Sequence, residues 1–475
     1  MLRPMPVLLS AALLFGCKGT APESGVGSQP NIVFIMADDL GYAELGCYGQ
    51  EIIRTPNIDR LRAQGIKLTQ HYTGAPVCAP ARCVLMTGRN SARATVRDNQ
   101  EHQPEGQLPI GGGEVTVAEL LKDQGYATGC FGKWGLGYPG SEGDPLNQGF
   151  DRFYGYNCQR HAHNFYPRYL WDDDQKVVLE GNDRGLTGEQ YSHDLIQAQA
   201  LQFIRDHRDG PFFLYMPSTI PHLALQVPDE TLALYRGQFE ETPYRGRSYL
   251  PHDTPRAAYA AMITHLDLAV GQLLDLLDEL GLADNTLVVF TSDNGPTHLN
   301  PQADVEFFAS AGPLRGLKGS VYEGGIRVPW VARWPGHIEP GSESAHVSVF
   351  EDMMPTMAAL AGAEVPAACD GISVLPTLLG DPQDQRSHDF IVWDFPGYGG
   401  QLAVRQGRWK AVRRNLRRNP DAAWELYDLQ VDIAESRDLA AQHPEVVAQL
   451  EASLRSWRTK PDWPKFQFGD YAQGN

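Results

Sequence analysis

Positive charge is in short supply in this chain. It carries 40 lysines and arginines against 58 aspartates and glutamates, a formal net charge of −18 at pH 7. A balance this acidic excludes nonspecific nucleic-acid binding. It also requires that an anionic ligand be drawn in by a local basic pocket. Cysteine is scarce too: there are seven, and no CxxC pair points to zinc. Setting aside Cys17 and Cys78 leaves Cys47, Cys83, Cys130, Cys158 and Cys369. Five is odd, so at least one is unpaired within the chain, and the spacing does not say which two a disulfide would join. Internal repeats are missing, and beyond the N-terminus no run is read as a membrane span. What is there is ordinary for a soluble globular protein: 475 residues, 42% hydrophobic and 21% charged. That length allows a large core and more than one domain.

Residues 1–17 read as a signal peptide, with Arg3 as the positive region and Val7 to Phe15 as a short apolar core. The segment Leu14-Phe15-Gly16-Cys17 resembles a bacterial lipobox with Cys17 as the lipidated residue. The expectation is an exported protein, periplasmic or held at the outer membrane, touching a membrane only through a lipid at Cys17. Residues 18–30, rich in Gly, Ser and Pro, read as a flexible tether.

Asn31 to Ala37 is a continuous apolar run, as expected of a strand buried on both faces of a parallel sheet. It stops at Asp38-Asp39, and two acids after a buried strand are costly unless a cation neutralises them. The same design recurs. The strand from Tyr126 to Phe131 is followed by Lys133, the strand from Pro211 to Met216 by His222, and the strand from Thr286 to Phe290 by Asp293-Asn294. Open α/β sheets bind ligands at the carboxyl ends of their strands. Asp38, Asp39, Asp293 and Asn294 all offer oxygen, which suits a hard cation such as Ca²⁺ or Mg²⁺.

The stretch from Cys78 to Arg89, CAPARCVLMTGR, reads as a short helix. Pro80 falls in its first turn, Val84, Leu85 and Met86 are its buried part, and Gly88 ends it. A helix N-terminus attracts anions and lowers a cysteine pKa. Arg82 lies one turn on and can fork onto an oxyanion. The same stretch resembles the signature C-x-P-[S/A]-R-x-x-x-x-T-G-R of the formylglycine-dependent (type I) sulfatases, which belong to the alkaline phosphatase superfamily. Cys78, Pro80, Arg82, Thr87, Gly88 and Arg89 match, and Ala81 replaces the commoner serine. Gly132-Lys133-Trp134-Gly135-Leu136-Gly137 is similar to the family's G-K-W-H-L-G, with Gly135 in place of the histidine. Residues 315–329 are close to R-x-x-K-x-x-x-x-E-G-G-x-R-V-P. The resemblance runs from about Asn31 to the C-terminus.

The resemblance implies an α/β fold: a large mixed, mostly parallel sheet flanked by helices, then a smaller antiparallel sheet plus helix. The boundaries that follow are a catalytic domain over 31–380 and a C-terminal α+β subdomain over 381–475. It implies that Cys78 is oxidised to Cα-formylglycine by a maturation enzyme, and that the aldehyde hydrate attacks sulfur. It implies a cation, usually Ca²⁺, held by Asp38, Asp39, Asp293, Asn294 and an oxygen at position 78. Arg82, Lys133 and Lys318 then assist the nucleophile and the sulfate, and His222 protonates the leaving oxygen. The base that expels sulfate is left open by Gly135. Gly149 to Pro167 is rich in rings and imidazoles, and Arg160, His161 and His163 are its candidate substrate contacts. That segment reads equally as a packed surface loop or as a wall facing sugar.

The activity implied is hydrolysis of O-sulfate from a sulfated carbohydrate. Two alternatives remain at this stage: a phosphate or phosphonate ester hydrolase of the same superfamily, and a non-catalytic lipoprotein that binds sulfated glycan.

Overall fold

The computed structural model describes Met1, residues 29–299 and residues 303–471. The expected signal peptide, the lipidation site Cys17 and the tether up to residue 28 lie outside the described residues. Ten strands make one sheet. They are β1 (Asn31–Ala37), β2 (Ile66–Tyr72), β3 (Ala127–Lys133), β4 (Arg152–Tyr156), β5 (Tyr169–Asp172), β6 (Gln175–Val178), β7 (Phe212–Pro217), β8 (Thr286–Ser292), β9 (Trp330–Arg333) and β10 (Ser342–Val349). Their order across the sheet is β10-β2-β9-β8-β1-β7-β3-β4-β5-β6. The centre, β8-β1-β7-β3-β4, is parallel throughout. β9 runs antiparallel to both of its neighbours, and β5 and β6 add an antiparallel edge.

The apolar run of β1 has a simple cause. Val33, Ile35 and Ala37 face one core, and Ile32, Phe34 and Met36 face the other. The first core holds the helices Pro56–Ala63, Ser192–Asp206 and Pro255–Glu279. The second holds Cys78–Thr87, Val117–Asp123 and Met353–Ala361. Pro255–Glu279 is long and apolar enough to cross a membrane by length and composition, but its 25 residues are mostly buried here as a core helix. The described cysteines are all free, so no disulfide forms among the described residues.

A second sheet follows: β11 (Ile391–Phe395), β12 (Gln401–Gln406), β13 (Trp409–Arg413) and β14 (Glu425–Asp428). It is antiparallel in sequence order. The helix Pro444–Trp457 packs on it through Leu450 and Leu454. Its other contact is with the large sheet's loops, through a cluster that joins Trp393 and Phe395 to Tyr72, Val77 and Val321.

Candidate active site

Four adjacent parallel strands deliver the candidate groups to one edge. Asp38 and Asp39 follow β1, Lys133 ends β3, His222 follows β7, and Asp293 and Asn294 follow β8. The strand ends are tied together by the backbone: Asp38 N–H donates to the Ile220 carbonyl at 3.0 Å and Asp293 N–H to the Ala37 carbonyl at 3.0 Å. Asp39 sits in the left-handed region at φ 67°, which turns the chain and presents consecutive carboxylates to the same space.

Cys78 is the first residue of its helix and is 1% exposed. Gly88 ends that helix in the left-handed conformation at φ 64°. Cys78 Sγ lies 3.4 Å from Asp38 Oδ1 and 3.6 Å from Lys318 Nζ. The expected lowering of its pKa is overturned. Burial, with the Asp38 carboxylate beside it, pushes the thiol up to about 12. Loss of solvent outweighs the field of a ten-residue helix. As a thiol, this residue is a poor nucleophile at neutral pH.

Cations and carboxylates alternate around it. Lys133 Nζ is 2.6 Å from Asp38 Oδ2, and Lys318 Nζ is 2.7 Å from Asp39 Oδ1. Arg82 is fully buried, with Nη2 2.8 Å from Asp293 Oδ2, while Nη1 donates to the Lys133 carbonyl. Arg82 therefore forks onto protein groups behind the cavity rather than onto open oxyanion space. Burial opposes ionisation of Asp38, but the charges of Lys133, Arg82 and Lys318 hold its pKa well below the usual carboxylate range. Burial and the Asp38 charge push Asp293 up to about 7.

Asp38, Asp39, Asp293 and Cys78 place one potential ligand atom each within 4.8 Å of one another. Asn294 fits the same purpose. Its Nδ2 donates to Asp39 Oδ1 at 2.8 Å, while its buried Oδ1 has no partner. An orphaned oxygen beside three carboxylates is a donor set for a hard divalent cation.

His222 Nδ1 donates to the Leu223 carbonyl at 2.6 Å, an assignment that follows from the acceptor. Its Nε2 is then left facing Asp39 Oδ2 at 3.6 Å. Burial and the Lys318 charge hold its pKa well below the usual histidine value, so the ring is neutral here. His163 stacks on it, ring centres 4.5 Å apart. These groups open onto a cavity of about 430 Å³ whose wall includes Asp39, Cys78, His163, His222, Lys318 and Arg160. His161 is not on that wall. It is buried between Tyr156 and Tyr169 and lines a neighbouring cavity instead. One turn of 3₁₀ helix, His161–His163, sends the two imidazoles to different sides.

Sequence reasoning missed several wall residues: Gln159, Tyr249, His298 and Tyr398. His298 had a signal, five residues past Asp293. Tyr249 had none, since it lies far from any strand, and Tyr398 comes from the turn between β11 and β12 in the second sheet. Gln159 explains the odd glycine: Gly135 has φ 79°, and a Cβ there would meet Gln159 Nε2 at 2.8 Å. That Nε2 is buried and without a partner.

The fold and this edge define a class of hydrolase that acts on anionic esters. A sequence model of the sulfatase family matches residues 30–363, and one of the N-sulphoglucosamine sulphohydrolase C-terminal region matches residues 317–460. The chain belongs to the sulfatase family and is an enzyme that hydrolyses sulfate esters. It is 38% identical to arylsulfatase A of Homo sapiens, over 81% of this chain and 75% of that protein. It is 31% identical to the N-acetylgalactosamine-6-O-sulfatase of Bacteroides thetaiotaomicron, over 96% of this chain and 99% of that one. The structure of Ps i-CgsB in complex with k-i-k-neocarrahexaose superposes with a TM-score of 0.78 at 29% identity, covering 94% of this chain and 96% of that chain.

Proposed function

We propose that the protein removes O-sulfate from a sulfated carbohydrate, as an exported enzyme held to a bacterial outer membrane or free in the periplasm. The observation that carries the chemistry is the meeting of Cys78 with three carboxylates, an orphaned amide oxygen, Lys133 and Lys318 in one buried cluster. The stretch CAPARCVLMTGR in a chain of the sulfatase family supports conversion of Cys78 to formylglycine. With formylglycine at position 78 and Ca²⁺ among Asp38, Asp39, Asp293 and Asn294, the pair supplies an activated oxygen nucleophile.

The chain's own residues do the rest. Lys318 reaches the cavity and Lys133 stands behind Asp38, so both stabilise negative charge on the sulfuryl oxygens. Arg82 fixes the Asp293 carboxylate. His222 faces the cavity with Nε2, the atom that can hand a proton to the departing sugar oxygen. An arriving sulfate ester offsets the nearby lysines and raises the proton affinity of that imidazole. His163, stacked on His222, supplies the second imidazole that Gly135 does not.

A carbohydrate substrate is supported by two relatives. One is an N-acetylgalactosamine-6-O-sulfatase, and the other holds a neocarrahexaose in its structure. The wall of rings around the cavity, Tyr249, His298 and Tyr398, suits flat faces of sugar. The test has two readouts. The mass of the peptide containing residue 78 should show sulfur replaced by a carbonyl oxygen. Purified enzyme should then release sulfate from sulfated saccharides. Release from aryl sulfates alone, or faster turnover of phosphate esters, would remove the carbohydrate assignment.

A further inference from the structure

Next to the catalytic cavity lies a second, of about 500 Å³. The two share Glu101 and Arg160 as a common wall. Arg160 stands on that ridge, 3.2 Å from Glu101, with its side chain 70% exposed. The second cavity is basic in an acidic protein: Arg160, Arg168, Lys176 and Arg184 line it against Glu101 and Glu105. Glu105 is already engaged. It accepts from Tyr169 Oη at 2.7 Å, Trp171 Nε1 at 2.7 Å and Lys176 Nζ at 3.0 Å. Lys176 lies 4.1 Å over the Tyr169 ring, which holds it in place. Arg168 and Arg184 are exposed, and neither pairs with a carboxylate among the described residues. His161, 7% exposed, has no hydrogen-bond partner on either ring nitrogen, and its Nδ1 lies 3.7 Å from Glu105 Oε1.

We infer that this cavity is a binding site for a second anionic group, a sulfate ester or carboxylate, on a sugar unit adjoining the one in the catalytic cavity. The inference rests on the carbohydrate reading above. Free guanidinium forks are the natural partners of such oxyanions. Tyr169 lines the second cavity, and the shared Glu101–Arg160 wall makes the two cavities neighbours, within reach of adjoining units of one saccharide chain. The enzyme would then select a polyanionic chain over an isolated sulfated sugar.

The experiment uses the full chain with Cys78→Ser, which binds without turnover. Hexasaccharides of chondroitin 6-sulfate, iota-carrageenan and hyaluronan are titrated by calorimetry, and again with Arg168→Gln/Arg184→Asn added. Both side chains are exposed, and asparagine tolerates the φ of 69° at position 184. The expected result is binding that weakens about ten- to a hundredfold in the added double variant, with a shallower salt dependence. Hyaluronan binding would assign the carboxylate; binding only of the sulfated chains would assign the sulfate ester. Separately, the mature enzyme carrying Arg168→Gln/Arg184→Asn should hydrolyse 4-nitrophenyl sulfate at the unsubstituted rate. Unchanged affinity in the double variant, or no binding of any hexasaccharide before the arginines are changed, overturns the proposal. Failure of the carbohydrate reading looks different: the arginine-dependent binding persists, but no saccharide loses sulfate.

Discussion

The two neighbouring cavities hold similar cations in opposite circumstances. Around Cys78, Lys133 is buried and Lys318 half-buried, and each is in contact with a buried carboxylate. Across the Glu101–Arg160 ridge, Arg168 and Arg184 stand exposed. In the first case charge is fixed in position before a ligand arrives, and the desolvation is already paid for by neighbours. In the second, charge is left open to water, fit for attraction rather than chemistry. Preorganised groups stabilise a transition state, while solvated ones mainly steer and hold.

The largest contrast should come from single cations on either side. Lys133→Ala should lower kcat/KM for an aryl sulfate by about 10³-fold, while Arg168→Gln should leave it unchanged. Steady-state kinetics on the matured proteins decide this, and comparable losses would erase the distinction. Arg82→Gln comes next. It strips Asp293 of its 2.8 Å partner, and breaking such a buried pair costs about 3–5 kcal/mol, readable by urea unfolding.

Removal of the cation tests the carboxylate side of the same cluster. Exhaustive chelation should lower the melting temperature, and Ca²⁺ at about a hundred times its Kd should restore about 3 kcal/mol. Magnesium restoring more than calcium would change the ion assigned. The smallest effect belongs to a pair outside both cavities. His388 Nε2 sits 2.7 Å from Asp352 Oδ1. Burial alone would lower its pKa, but Asp352 and the nearby Glu351 and Asp370 raise it to about 9. The folded-state value is above the unfolded one, so the contribution is complete below about pH 6.5 and is lost as pH rises through about 9. His388→Gln should therefore cost about 2–3 kcal/mol at pH 6, nothing at pH 10, and no activity where both proteins are folded.

The catalytic side was the more legible one. A buried parallel strand writes itself as an unbroken apolar run, so Asn31–Ala37 is readable, and the polar residues at its end stand out. The mixed, mostly parallel sheet and the four-stranded antiparallel sheet match the expectation, down to the helix that packs on the latter. The second cavity was legible only in part: Arg160 and His161 were singled out, while Arg168, Lys176 and Arg184 were not. β4 to β6 fall in a stretch with no clean alternation, and β6 is exposed along its whole length. An edge strand held by its neighbour's backbone needs no apolar pattern. His161 and His163 show a second limit. Spacing places both in one segment, but the local turn decides which cavity each ring enters. The Cys78 pKa shows a third: helix position is visible in sequence, and burial is not.

The loop that carries Lys318 is fastened from far along the chain. Its Gly319 carbonyl accepts from Gln401 Nε2 at 2.6 Å, and Glu323 lies 2.8 Å from Lys410, which in turn is 3.0 Å from Glu435. Thr73, just before the Cys78 helix, is held by the Trp393 indole at 2.9 Å. A chain cut after residue 380 would lack Gln401, Lys410, Glu435 and Trp393, and with them every one of these braces. The second sheet thus bears on the chemistry at one remove, by holding the backbone from which Lys318 and Cys78 project.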